Sequence, residues 1–95
     1  MVLEIAQLSI KTGEEDSFVA AYYQAKEHLE ATDGFRSARM TRCIESSSRF
    51  VLLVEWESLE SHTENFRNSE RFPRWRELIG PFFDEDPEVI HTVDV

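Results

Sequence analysis

Ninety-five residues, 41% of them hydrophobic and 12% aromatic, suffice for a single domain spanning 1–95 and leave no room for a second core. Nineteen acidic against ten basic residues give a net charge of −9, a field that repels nucleic-acid phosphates and anionic lipid, so neither is an expected partner. Apolar runs such as the five residues Phe50 to Val54 fall far short of the roughly 20 needed to cross a bilayer. The first residues lack a signal-peptide pattern, and Cys43 alone cannot build a disulfide or a cysteine-rich zinc site, so the expectation is a folded acidic protein of the cytoplasm.

Val2 to Lys11 reads as the first strand, with Ala6, Leu8 and Ile10 on one face and Leu3, Ile5, Gln7 and Ser9 on the other. Thr12-Gly13-Glu14-Glu15 has the spacing of a capping box and predicts a helix start. Phe18, Ala21, Tyr22, Ala25 and Leu29 then form one apolar stripe, which Asp33-Gly34 ends. Phe35 to Ile44 and Arg49 to Trp56 read as a hairpin around a polar turn. In its second strand Phe50, Leu52, Val54 and Trp56 share one face, and Val51 and Leu53 make the opposite face apolar too. Ser58 is placed to cap a second helical stretch with the inward stripe Leu59, His62 and Phe66. Asn68-Ser69 interrupts it, and Phe72-Pro73 opens further turns carrying Phe72, Trp75, Arg76 and Ile79 up to Gly80-Pro81. Val89 to Val95 predicts a last strand.

The order β-α-β-β-α-β is the ferredoxin-like pattern, an α+β fold with an antiparallel sheet and both helices on one face. The other face stays uncovered. Leaving Val51 and Leu53 in water forfeits about 1.5–3 kcal/mol of burial each, so a homodimer through the open face is expected.

Trp56-Glu57-Ser58-Leu59-Glu60-Ser61-His62, then Phe66 to Phe72, Trp75, Pro87 and His91, with Gly34-Phe35 upstream, resemble the antibiotic biosynthesis monooxygenase domain over essentially the whole chain. The resemblance implies a dimeric α/β barrel with a ligand cavity between sheet and helices in each subunit. Its aromatic-oxygenating members use neither metal nor flavin, so no cofactor is implied. Their cavity carries an Asn, a Trp four residues on, a Tyr on the next helix and an Arg; here Leu52, Trp56, His62 and Arg76 stand at those places. Haem-degrading members use a first-strand Asn, a Trp on the second helix and a histidine ligand, where this chain has Ala6, Phe66 and Arg76, which argues against that route.

Oxygenation without a cofactor needs a substrate that itself reduces dioxygen, so the protein need only deprotonate it, hold it and exclude water. Trp56 can stack on a planar substrate and donate its N–H, or simply close the core. His62 is the candidate base, active around an ordinary imidazole pKa of about 6.5 unless burial lowers it; its plainer reading is a hydrogen-bonded core histidine. Arg76 can stabilise an anionic intermediate, or lie on the surface paired with an acid. Tyr22, Leu52, Phe66 and Phe72 are expected to line the same cavity. His91 can face either the cavity or the dimer seam, and His62 or His91 as an axial haem ligand is a further alternative. The function expected is a monooxygenase acting on a small aromatic or quinonoid molecule, against a non-catalytic dimeric barrel that binds an apolar ligand. No nucleophile elbow, phosphate loop or metal-ligand spacing is present.

Overall fold

The computed structural model describes residues 1–95. Its elements are β1 (Val2–Ser9), α1 (Glu15–Glu30), β2 (Phe35–Arg42), β3 (Arg49–Trp56), a π-helical segment (Ser61–Phe66), α2 (Arg71–Ile79), a 3₁₀ turn (Gly80–Phe82) and β4 (Glu88–Thr92). Every strand pair is antiparallel, and the sheet order is β2-β3-β1-β4, the ferredoxin-like arrangement expected from the sequence. Both helices pack on one face. There Ala6, Leu8, Phe50, Leu52 and Val54 meet Phe18, Tyr22, Ala25, Leu29, Trp75 and Ile79 in one core. Burying each of the larger apolar chains contributes about 1.5–3 kcal/mol, which holds the two layers together.

Several element ends differ from expectation for local reasons. Thr12 does not cap α1, because a turn from Lys11 to Glu14, with Gly13 at φ 91°, delays the helix start to Glu15. Instead the Glu15 carboxylate turns back to accept the Gly13 N–H at 2.9 Å and the Ser48 hydroxyl at 2.6 Å. The Ser48 bond, the larger cause, holds the Glu15 pKa below the usual range. β2 ends at Arg42 rather than Ile44, where its ladder with β3 stops at Phe50. β4 ends at Thr92 rather than Val95, because its partner β1 runs out at its own N-terminus.

The second helical stretch departs most. Ser58 caps it as expected, its Oγ accepting the Ser61 N–H at 3.2 Å. Beyond the cap the chain winds as a π-helix: Arg67 N–H donates to His62 O at 3.0 Å, five residues back. The wider turn buries Ser61, His62 and Phe66 and leaves Leu59 42% exposed, so Leu59 is not part of the inward stripe. Gly34, at φ 92°, lies directly under the start of this segment, and any Cβ there would collide with the Ser61 side chain. The π segment therefore seats against the β2 entrance only because that residue has no side chain.

On the opposite sheet face Val51 and Leu53 are half-buried and Ile90 is 56% exposed.

Candidate active site

Strand alternation puts Glu4 on the same face of β1 as Ala6 and Leu8, beneath the helices. Its Cα partners are Val54 on β3 and His91 on β4, so the carboxyl sits mid-sheet, 5% exposed. Trp56, at the end of β3, donates its indole N–H to Glu4 Oε1 at 3.0 Å. From above, the π segment brings His62 Nε2 to 3.4 Å from the same oxygen. The other ring nitrogen, Nδ1, lies 2.8 Å from His91 Nε2. His62 is thus held in a row Glu4–His62–His91, with its ring stacked on Trp56 (centroids 5.3 Å, 10° between planes) and flanked by Phe66 at 6.2 Å.

Burial decides the electrostatics of this row. Desolvation of the Glu4 carboxylate raises its pKa and outweighs the opposing Trp56 hydrogen bond and Arg67 charge. The same burial, helped by the Arg67 guanidinium and by His91, pushes the His62 imidazole down to about 3. His91 is lowered as well, by burial and then by Arg67. At neutral pH His62 is uncharged, and it does not titrate near 6.5.

Glu4 and His62 stand at one end of a cavity of about 510 Å³ between sheet and helices. Its wall is mainly apolar, from Leu8, Leu52, Phe66, Phe72, Trp75 and Val89, with Arg67 and Arg76 as its cations. Of the expected site residues, His62, Arg76, Leu52, Phe66 and Phe72 all border this space. The remaining two do not. Trp56 is completely buried behind Glu4 and His62, with its N–H committed to Glu4. Tyr22 packs edge-on against Trp75 at 6.1 Å and borders a separate shallow depression with Lys26 and Met40. Burial drives its pKa up to about 12, and its hydroxyl has no hydrogen-bond partner. Arg76 makes no ion pair with an acid; its guanidinium lies over the Phe83 ring at 5.4 Å. His91 turns toward the helices, not the open face, as the half-buried positions of β4 show.

Sequence reasoning missed Glu4 and Arg67. Glu4 was discoverable, since it has the same strand parity as Ala6, Leu8 and Ile10 and is an acid on an otherwise apolar face. Arg67 was not, because the π turn that brings it to the cavity leaves no trace in residue spacing.

The sequence profile of the antibiotic biosynthesis monooxygenase family matches residues 1–78. The chain belongs to that family. YczJ, an uncharacterized protein of Bacillus subtilis (strain 168), is 40% identical over 95 residues, spanning the whole of both chains. The crystal structure of a Bordetella bronchiseptica protein that carries the family's name superposes with a TM-score of 0.96 at 35% identity, over 99% of this chain and 96% of that one. SnoaB, a cofactor-independent oxygenase from Streptomyces nogalater, has a TM-score of 0.83 over 98% of this chain and 91% of its own. At 11% identity that likeness is one of fold.

Proposed function

We propose that this protein is a cofactor-independent monooxygenase acting on a small aromatic or quinonoid molecule, with Glu4 as the base. The observation that carries the reading is a buried carboxyl with a raised pKa at one end of an apolar cavity that also holds two arginines. A carboxyl held above its ordinary range is a better proton acceptor than His62, whose basicity burial has nearly abolished. Glu4 Oε1 takes the Trp56 N–H, and the carboxylate keeps lone pairs for the proton of a phenol or an activated CH₂. The resulting anion lies against aromatic walls and within reach of the charge of Arg67 and Arg76. It donates electrons to dioxygen; one oxygen atom enters the substrate and the other leaves as water. For a CH₂ between aromatic rings the balance is CH₂ + O₂ → C=O + H₂O, with all electrons supplied by the substrate. Membership of the antibiotic biosynthesis monooxygenase family supports the class of reaction, though not the choice of base.

Oxygen uptake across anthrones, naphthols and quinols, without added metal, tests the reading. Sustained uptake that falls by about 10²–10⁴ in Glu4→Gln supports it. Tight ligand binding with no uptake for any of these compounds would instead make the chain a binding protein.

We further propose that a second copy covers the open sheet face. Val51, Leu53 and Ile90 supply its apolar surface, and a 95-residue chain gains substantially from burying it. Sedimentation at micromolar concentration should give twice the chain mass, and Leu53→Asp should give monomer or aggregate. A well-folded wild-type monomer would overturn the dimer.

A further inference from the structure

Three titratable side chains from separate parts of the fold, Glu4 of β1, His62 of the π segment and His91 of β4, stand in one row, and the proposed reaction uses only the first. Their spacing is directional. The 2.8 Å contact joins His62 Nδ1 to His91 Nε2, so one nitrogen must donate and the other accept. The 3.4 Å approach of His62 Nε2 to Glu4 Oε1 is about 0.4 Å longer than an ordinary N–H···O bond, a gap that a small side-chain rotation within the native state closes. His91 is half-buried on an edge strand, and its Nδ1 makes no bond to the protein. The row therefore runs from the cavity end, at Glu4, to the periphery of the sheet.

We propose that Glu4, His62 and His91 form a proton relay that equilibrates Glu4 with solvent from behind, through a paired change of tautomer in the two imidazoles. This rests on the assignment of Glu4 as the base. With Glu4 ionised, His62 carries its proton on Nε2, facing the carboxylate, and His91 carries its own on Nε2, donated to His62 Nδ1. His91 Nδ1 is bare. When water protonates His91 Nδ1, the His91 Nε2 proton passes to His62 Nδ1 and the His62 Nε2 proton passes to Glu4. One proton enters, one carboxylic acid forms, and both rings end neutral with their protons on Nδ1. Raising the pH runs the same steps in reverse. No imidazolium persists, which suits a buried row that also faces the Arg67 guanidinium from the turn after the π segment, with Arg76 of α2 across the cavity. A substrate that fills the cavity shuts the direct path from Glu4 to bulk water, and the relay is the path that stays open.

The test is a pH titration of the ligand-free protein, uniformly ¹³C,¹⁵N-labelled, with histidine tautomers read from long-range ¹H–¹⁵N correlations and Glu4 from its side-chain carboxyl ¹³C shift. The expected result is a swap of the bare and protonated nitrogens in both His62 and His91, at the same midpoint as the Glu4 transition. In Glu4→Gln the swap should vanish. His91→Phe provides a second arm: it removes the outer station, and His62 should then keep one tautomer through the carboxyl transition. A single unchanged tautomer of His62 in the wild type, an imidazolium formed before Glu4 protonates, or a swap that survives in Glu4→Gln would each overturn the relay. Because no substrate is involved, a failed swap beside intact oxygen uptake removes the relay alone. A clean swap beside absent uptake removes the oxygenase reading and leaves the relay.

Discussion

The neutral state of His62 can be measured through folding stability without knowing a substrate. In the unfolded chain this imidazole titrates near 6.5, whereas burial, the largest cause, holds it at about 3 in the native protein. Between those values the unfolded chain binds a proton that the folded one refuses, so stability falls as the pH falls. At pH 5 the loss relative to pH 8 is RT ln(1 + 10^1.5), about 2 kcal/mol, a large share of a small domain's stability. Glu4 acts in the opposite sense: its raised pKa makes the native state take a proton ahead of the unfolded chain on acidification, which adds stability there. The two contributions separate in a Glu4→Gln background. Urea unfolding of Glu4→Gln and of Glu4→Gln/His62→Phe, at pH 8 and pH 5 and at fixed protein concentration, isolates the histidine. The phenyl ring keeps the stack on Trp56 and Phe66, any pH-independent cost cancels in the difference, and His91 is common to both arms. The single variant should lose about 2 kcal/mol more than the double one between the two pH values. Equal losses would show that His62 takes up its proton as readily folded as unfolded, and the buried neutral row would be wrong.

Gly34→Ala should destabilise by several kcal/mol, about 1–3 from positive φ and a similar amount from the clash with Ser61, and the clash component should be recovered in a Ser61→Gly background when thermal midpoints are compared. Tyr22→Phe deletes a buried hydroxyl without a partner while keeping the edge-on packing with Trp75, so it should stabilise by about 1–3 kcal/mol; a loss of stability in denaturant titration would mean that the hydroxyl is satisfied. Arg76→Gln should weaken binding of an anionic naphtholate by roughly tenfold or more, the worth of one charge-assisted contact, and leave a neutral naphthalene unaffected by calorimetry. Equal weakening of both would mean that Arg76 acts through its packing on Phe83.

The parts of the fold legible in the sequence are those that follow a simple period. The alternation Phe50, Leu52, Val54, Trp56 gives β3 with its observed bounds, and the stripe Phe18, Tyr22, Ala25, Leu29 gives the buried face of α1. The same periodicity misplaces Leu59, because α-helical spacing does not hold in a segment whose bonds run five residues back. The site was half legible for the same reason. His62, Phe66, Phe72 and Leu52 lie on regular inward stripes and do border the cavity. Trp56 and Tyr22 lie on inward stripes as well, but the cavity occupies only part of the space between the layers, and which inward residues meet it depends on how the helices are set over the sheet. No single strand or helix encodes that setting.

The features that make the site chemically capable are also the ones that break the rules of a stable core. An acid on an apolar strand face, an imidazole deprived of its charge, a six-residue π-helix and a glycine at φ 92° each cost stability. They depend on one another. Gly34 admits Ser61 to the sheet edge, the π turn that starts at Ser61 swings His62 inward, and His62 reaches Glu4 only from there. Glu4 in turn gives the buried Trp56 N–H its acceptor. Because each piece positions the next, replacing any one of them should disperse the row. A chain selected for stability alone would gain from an ordinary α-helix above the sheet, and in the proposed reaction the cost of keeping an acid at position 4 is offset by the proton it accepts.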